Sequence, residues 1–277
     1  MNSGVKRTTA YDVIVMIIMI VLAILFIFPV YWIVTGSFKD PAAINAAIPE
    51  WFPKNPTTDN YVRLFDKPAI QWLFNSIFIA LMSMGLTCIT AAMAGYALAK
   101  KRFVGRGMLF TFLVCAMALP KQVVLVPLLK EMSFLGMHDS VWAVILPTVG
   151  WPFGIFLMKQ FSETIPTEML EAVRIDGAGE IQTFLTIVLP IVKPGIGALA
   201  IFTFITTWND YFLQLIMLNS SKNLTIALGI AKLQAEMSND FGLIMAGAAL
   251  GAIPIITIFL LFQKYFTQGI TMGAVKG

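Results

Sequence analysis

Glu168, Glu171, Arg174, Asp176 and Glu180 fall within thirteen residues of a chain in which charged side chains make up only 12% of the total. Glu171 and Arg174 stand three residues apart and can pair on one helix face, while the surplus of acids can meet a basic partner. A second polar group, Lys121, Gln122, Asn209 and Asp210 with Trp208 beside it, interrupts otherwise apolar runs. Groups of this kind either line a polar path through a membrane or snorkel to its surface. His138 is the only histidine; with Asp139 beside it a ligand or proton-relay role is conceivable, but a solvated loop side chain is the better expectation, and no Cys/His spacing supports a metal site. Cys88 and Cys115 lie in apolar runs and serve packing rather than a disulfide framework. No glycine is followed by lysine, so the G-x-x-x-x-G-K-[ST] loop that cradles nucleotide phosphates is absent, as is the nucleophile elbow G-x-S-x-G. Enzyme chemistry finds no foothold in this chain.

The elements that must position these side chains follow from hydropathy. The 277 residues are 58% hydrophobic, with a mean hydropathy of +0.82. A helix needs about 20 mainly apolar residues to cross a hydrocarbon core of about 30 Å. Uncharged runs cover 13–38, 69–99, 140–158 and 241–263, and two further runs are broken only by Lys121 and by Lys193 with Asp210. The runs are too long and too uniformly apolar for barrel strands, and backbone in lipid must satisfy its own hydrogen bonds, so the expectation is an all-α polytopic membrane protein. Six spans are placed at about 13–36, 72–99, 107–129, 140–159, 190–214 and 242–263, in a single transmembrane domain over 1–277. Pro120 should kink the third. The first apolar run is too long for the core of a cleaved signal peptide and is expected to remain as a helix.

Six spans put both termini on one side. With the N-terminus inside, eleven of the 19 basic residues face the cytoplasm, among them Lys6, Arg7, Lys264 and Lys276, and the cluster "KKRFVGR" at 100–106 sits flush between two spans. Both termini are therefore expected to be cytoplasmic. A net charge of +4 reflects this orientation, and no basic and aromatic module for nucleic acid is present. In the loop after the first span, Pro41, Pro49, Pro53, Pro56 and Pro68 argue against a long helix, and Trp51, Phe52 and Tyr61 are candidates for the outer interface. Ser83, Thr87, Ala91, Gly95 and Ala99 recur every four residues along the second span, a stripe that should face another helix; Gly247 and Gly251 form a shorter one in the sixth.

The acidic stretch then lies in a cytoplasmic loop of about 163–190, between the fourth and fifth spans. Pro166 and Thr167 start a short helix, Glu168 suits its first turn, and Gly177 stops it. Met169, Ala172 and Val173 share one face, away from Glu168, Glu171 and Arg174. Surface anchors on anionic lipid are usually rich in Lys and Arg, whereas this helix has three acids against one base, so a basic protein partner suits it better.

The residues at 171–190 also resemble a known pattern. Glu171, Ala172, Gly177, Ile187, Leu189 and Pro190 reproduce the spacing of the EAA loop of bacterial ABC importer permeases (E-A-A, three residues, G, nine residues, I-x-L-P), with Val173 at the third position. "GSFKDPAAI", "NPTTDNYVRLF", "NSIFIA", "PFGIFLMKQFSETIP", "IFTFITTWNDY" and "GITMGAVKG" are similar to the sugar-importer branch, and specifically to its smaller maltose-type permease. The resemblance implies a type I ABC importer permease fold in a bacterial inner membrane. It implies partners as well: a second permease in a heterodimer, two ATPase subunits that bind ATP and magnesium, and an extracytoplasmic solute-binding protein. This chain itself would hold no cofactor and no metal and would not be an enzyme. Carried over, Glu171 meets a basic residue of the ATPase, Ala172 permits close approach, Gly177 makes the turn, and Ile187, Leu189 and Pro190 join the helix to the fifth span. The loop at 219–240 is similar to one that reaches toward the binding protein, and the C-terminal tail to one that contacts the ATPases. Trp208, Asn209, Asp210 and Gln122 are the candidates for a sugar path, since sugars stack on aromatic rings and hydrogen-bond to polar side chains. An ion-coupled secondary carrier is the alternative, and a channel subunit a more distant one.

Overall fold

The computed structural model describes residues 10–236 and 240–274, with side chains described up to Gln263. Lys6, Arg7 and the side chains of Lys264, Lys276 and the tail "GITMGAVKG" lie outside the described residues. Every regular element described is helical. Among the described residues five helices are long and apolar enough to cross a membrane, or six when one sharply bent pair is counted as a span. The chain divides into two units, residues 1–67 with 230–250, and residues 68–229 with 251–277.

The first unit opens with α1 (Ala10–Gly36), an apolar helix whose only buried residues are Thr35 and Gly36. Asp40 starts α2 (Pro41–Ile44) by accepting the amide of Ala43. In α3 (Asp59–Phe65) Leu64 is fully buried, and the Asn60 amide donates to the carbonyls of Ser37 and Lys39 at 3.0 and 2.8 Å. Arg63 pairs with Asp240. Tyr61 shares a hydrogen bond with Ser37 and packs its ring 5.2 Å from that of Phe38.

In the second unit α4 (Ala69–Lys100) is the hub. Its stripe of Ser83, Thr87, Ala91 and Gly95 is buried. Then α5 (Arg106–Met117) and α6 (Lys121–Phe134) meet at 106° across Ala118, Leu119 and Pro120. The third span, expected as one run over 107–129, is thus two helices at nearly a right angle, because Pro120 cannot donate into the ladder and holds extended backbone at ψ 131°. The next pair, α7 (Trp142–Val149) and α8 (Pro152–Glu163), breaks at Gly150 and Trp151, with Pro152 in the first turn of α8. Small meets small where α8 crosses α4: a Cβ added to Gly154 would lie 3.2 Å from Ala91 and Thr87, and one added to Gly95 would lie 2.6 Å from the backbone of Met158 and Lys159. In lipid such close backbone approach supplies the attraction that hydrophobicity supplies in water.

After α9 (Thr167–Ile175) the chain re-enters through α10 (Glu180–Thr183), a π turn over Phe184–Val188, and α11 (Leu189–Trp208). The helical run that carries the fifth expected span extends from Glu180 to Trp208 and ends at Asn209 and Asp210, before α12 (Tyr211–Met217). α13 (Ile226–Glu236) and α14 (Phe241–Ala274) complete the chain. The segment leading into α13 is tied to the start of α4: the Trp72 indole donates to Ser221, the Asn75 amide to Lys222 and Leu224, and the Ser76 hydroxyl accepts from the amide of Ile226.

Candidate functional site

The acidic stretch forms α9 as a nine-residue helix. Pro166 precedes it with extended backbone, Glu168 lies in its first turn, and Gly177 follows with a φ of 82°, which a side chain would strain. Leu170 anchors the helix: it is 5% exposed and belongs to a core cluster with Tyr96, Ile165 and Val188. The apolar face drawn through Met169 and Ala172 points outward, and only Val173 of that set is partly covered. Leu170 wins because α9 packs on the bundle at one narrow edge rather than across a broad stripe.

The electrostatics around α9 differ from the i,i+3 pairing of Glu171 with Arg174. Arg174 lies 2.8 Å from Glu180, which also pairs with Lys101, so one carboxylate ties α9 and α10 to the end of α4. Lys101 sits 4.9 Å over the Tyr96 ring, and Lys100 donates to the carbonyls of Glu163 and Ile165, closing the end of α8. Glu171 is left exposed, with no ion-pair partner among the described residues. It shares the wall of a cavity of about 230 Å³ with Lys100, Lys101, Arg102, Arg106 and Arg174. Ala172 is exposed beside it.

Ile187 packs against the core cluster from the π turn, Leu189 opens α11 half-buried, and Pro190 is exposed in its first turn. Pro190 lacks the N–H that would close the turn onto Thr186, and the wider i→i−5 bond from Leu189 to Phe184 accommodates this. The loop thus passes into α11 through continuous helix from Glu180 to Trp208.

The second polar group converges at the helix breaks. Two cavities of about 260 Å³ each share Lys121, Thr148 and Trp151. Gln122 and Asp210 line the first, and Thr87, Thr203 and Thr206 line the second. The Lys121 ammonium lies 3.4 Å from Asp210 and 5.0 Å from the Trp151 ring centroid, while Asp210 also caps α12 through the amide of Leu213. Lys121 opens α6 directly after the break at Pro120 and is partly exposed beside Asp210. Trp208 lies elsewhere: it is buried, its ring stacked 5.7 Å from that of Phe204. Asn209 is exposed and donates to Ile205, ending α11. Trp151, absent from the candidates, takes the aromatic place beside the cavity. The signal for it was present in "GWP", since an aromatic set between a glycine and a proline at a helix break has backbone freedom to face a cavity.

His138 lies in the loop after α6, but its neighbour Asp139 carries the structure there. At a φ of 57°, Asp139 accepts the amides of Asn219 and Ser220 at 2.8 and 3.0 Å, and its own amide donates to Met217. Burial works against its charge, but hydrogen bonds from Ser220, Asn219 and Asn223 outweigh that and hold the carboxyl at about 2.

Comparison with known proteins bears on what these sites serve. Residues 87–272 match the model of the family described as "Binding-protein-dependent transport system inner membrane component". The chain is 33% identical to the arabinooligosaccharides transport system permease protein of Bacillus subtilis (strain 168), covering 97% of each. It is 35% identical to the maltodextrin transport system permease protein of the same organism, covering 92% of this chain and 93% of that one. Against the trehalose/maltose transport system permease protein of Thermococcus litoralis the identity is 32%, over 93% and 94% of the two chains. Its fold matches a chain of a bacterial ABC transporter involved in alginate import with a TM-score of 0.83 at 21% identity, covering 96% of this chain and 99% of that one. The chain therefore belongs to the binding-protein-dependent transport system inner membrane components, the multi-pass permeases of ABC importers.

Proposed function

We propose that this chain forms one half of the translocation path of an oligosaccharide importer and couples that path to an ATPase through α9. The family assignment displaces the ion-coupled carrier as an alternative. Oligosaccharide transport is supported by the relatives, whose names specify arabinooligosaccharides, maltodextrin and trehalose/maltose. The partners in this scheme are a second permease subunit, two ATPase subunits that hold ATP and magnesium, and an extracytoplasmic solute-binding protein; α9 and both termini face the cytoplasm.

The observation that carries the coupling role is Glu171, a carboxylate left exposed and unpaired among the described residues while its neighbour Arg174 is held by Glu180. A basic residue of the ATPase then meets Glu171 without first breaking an internal pair. Ala172 lets the partner approach closely, and Gly177 turns the chain out of the contact. Displacement of α9 passes through Glu180 and the π turn with Ile187, Leu189 and Pro190 into α11, because consecutive helical turns resist compression. At the far end of α11 lie Asp210 and the cavities, where Gln122, Thr148 and Asp210 offer hydrogen bonds and Trp151 an aromatic face to a sugar.

Glu171→Lys tests the coupling. In membranes containing the assembled transporter, the variant should insert and accumulate as the wild type does and lose ATP-driven uptake, with Glu171→Gln intermediate. Normal uptake by Glu171→Lys would remove the docking role.

A further inference from the structure

The polar segment after α1 folds back along that helix. The Trp51 ring lies 6.0 Å from that of Phe28 and 6.1 Å from that of Trp32. These two residues stand eight and four positions before the end of α1 at Gly36, so Trp51 sits roughly 6–12 Å below that end, at about 1.5 Å per residue. At the same level α1 presents Ile27, Val30 and Val34 to its surroundings. Ile48, Trp51 and Phe52 are themselves 83%, 64% and 70% exposed, and they continue this apolar surface sideways.

Backbone polar groups that sink toward the hydrocarbon need partners. Two carbonyls of this segment find them in side chains outside it. The Tyr31 hydroxyl donates to the Trp51 carbonyl at 2.6 Å, and the Lys39 ammonium donates to the Glu50 carbonyl. Lys39 is 3% exposed, with its charge 4.2 Å over the Trp32 ring, so the cation that completes the arrangement is itself shielded. Pro49 and Pro53 contribute no N–H and leave fewer donors in need of a partner. Beyond them Lys54, paired with Glu50 at 3.7 Å, points its ammonium outward.

We propose that residues 48–53 are a membrane-interface anchor: Ile48, Trp51 and Phe52 insert among lipid chains at headgroup depth, continuous with the lipid-facing surface of α1. Lipid is the occupant that the depth, the satisfied carbonyls and the tryptophan favour, since Trp gathers where a bilayer is apolar on one side and wet on the other.

The test uses the transporter assembled with its partner subunits in proteoliposomes, in a Cys88→Ala/Cys115→Ser background. Cysteines placed singly by Ile48→Cys, Phe52→Cys and, as an exposed polar control, Thr58→Cys are labelled with an environment-sensitive fluorophore. Doxyl-labelled lipid and aqueous iodide are the quenchers. Positions 48 and 52 should be quenched at least twofold more by the lipid than position 58, and correspondingly less by iodide. Iodide quenching equal to that at 58 would make the segment an aqueous loop and overturn the proposal. Protection from both quenchers would assign it to a protein partner and overturn it equally.

Discussion

Gly95→Ala isolates the contact on which the second unit turns. Two effects of opposite sign compete. Alanine in place of glycine favours a helix by about 1 kcal/mol, through the smaller loss of backbone freedom. Against this, the new Cβ would lie 2.6 Å from the backbone of Met158 and Lys159, where ordinary contacts begin near 3.4 Å. Because the obstacle is main chain, no rotamer change relieves it, and α4 and α8 must separate by several tenths of an ångström along a stripe that includes Ala91 and Gly154. Overpacking of this kind costs about 1–3 kcal/mol, with loss of dispersion along the seam placing it toward the upper end. A net destabilisation of about 1–2 kcal/mol follows. Gly85→Ala, in the same helix with nothing within 4 Å of the added carbon, is the control and retains only the propensity gain. The two variants should differ by about 2–3 kcal/mol in unfolding of the purified transporter in detergent. The shift should also reach Lys100, five residues on, which closes the end of α8, so ATP-driven uptake should fall for Gly95→Ala alone. Equal stability of the two variants would refute the close approach of α4 and α8.

The remaining predictions concern charges. Lys121→Met or Asp210→Asn alone leaves one charge beside the cavities without its partner and should slow uptake, whereas the double variant should recover part of the loss. The pair is partly exposed and screened, so the coupling between the two sites, from a double-mutant cycle on uptake rates, should be no more than about 1 kcal/mol. Asp139→Ala strips the amides of Asn219 and Ser220 of their acceptor; because water reaches the exposed Asn219 amide, the loss should be about 0.5–1.5 kcal/mol. Because the carboxyl is held at about 2 against an ordinary 3.8, its contribution is fully present above pH 4 and is lost as pH falls toward 2. Thermal midpoints of wild type and Asp139→Ala, followed from pH 6 downward, should therefore converge in acid.

Some features are readable from sequence because they are local. The ends of α9 follow from Pro166 and Gly177, each of which restricts or frees its own backbone. The break at Pro120 is a property of the ring and the missing N–H. The burial of Ser83, Thr87, Ala91 and Gly95 follows from a four-residue period that only a helix in close contact would use. Side chains that choose among partners behave differently. Arg174 has Glu171 within helical reach, yet it pairs with Glu180, which Lys101 also holds. Trp208 and Trp151 are equally apolar in sequence, but one is stacked in the bundle on Phe204 and the other lines the cavities.

By itself the sequence determined that this chain lives in a membrane as a set of helices, and that a short acidic helix stands between two of them. Both follow from transfer of apolar surface and from backbone hydrogen bonding, which act residue by residue along the chain. Only the tertiary structure decided that α5 and α6 meet at 106°, that Lys121 lies beside Asp210, and that Arg174 pairs with Glu180, leaving Glu171, like Glu168 and Asp176, without an ion-pair partner among the described residues. Those outcomes depend on which distant side chains share a few ångströms, and charges of equal sign and similar spacing are told apart only once packing has settled which of them can touch.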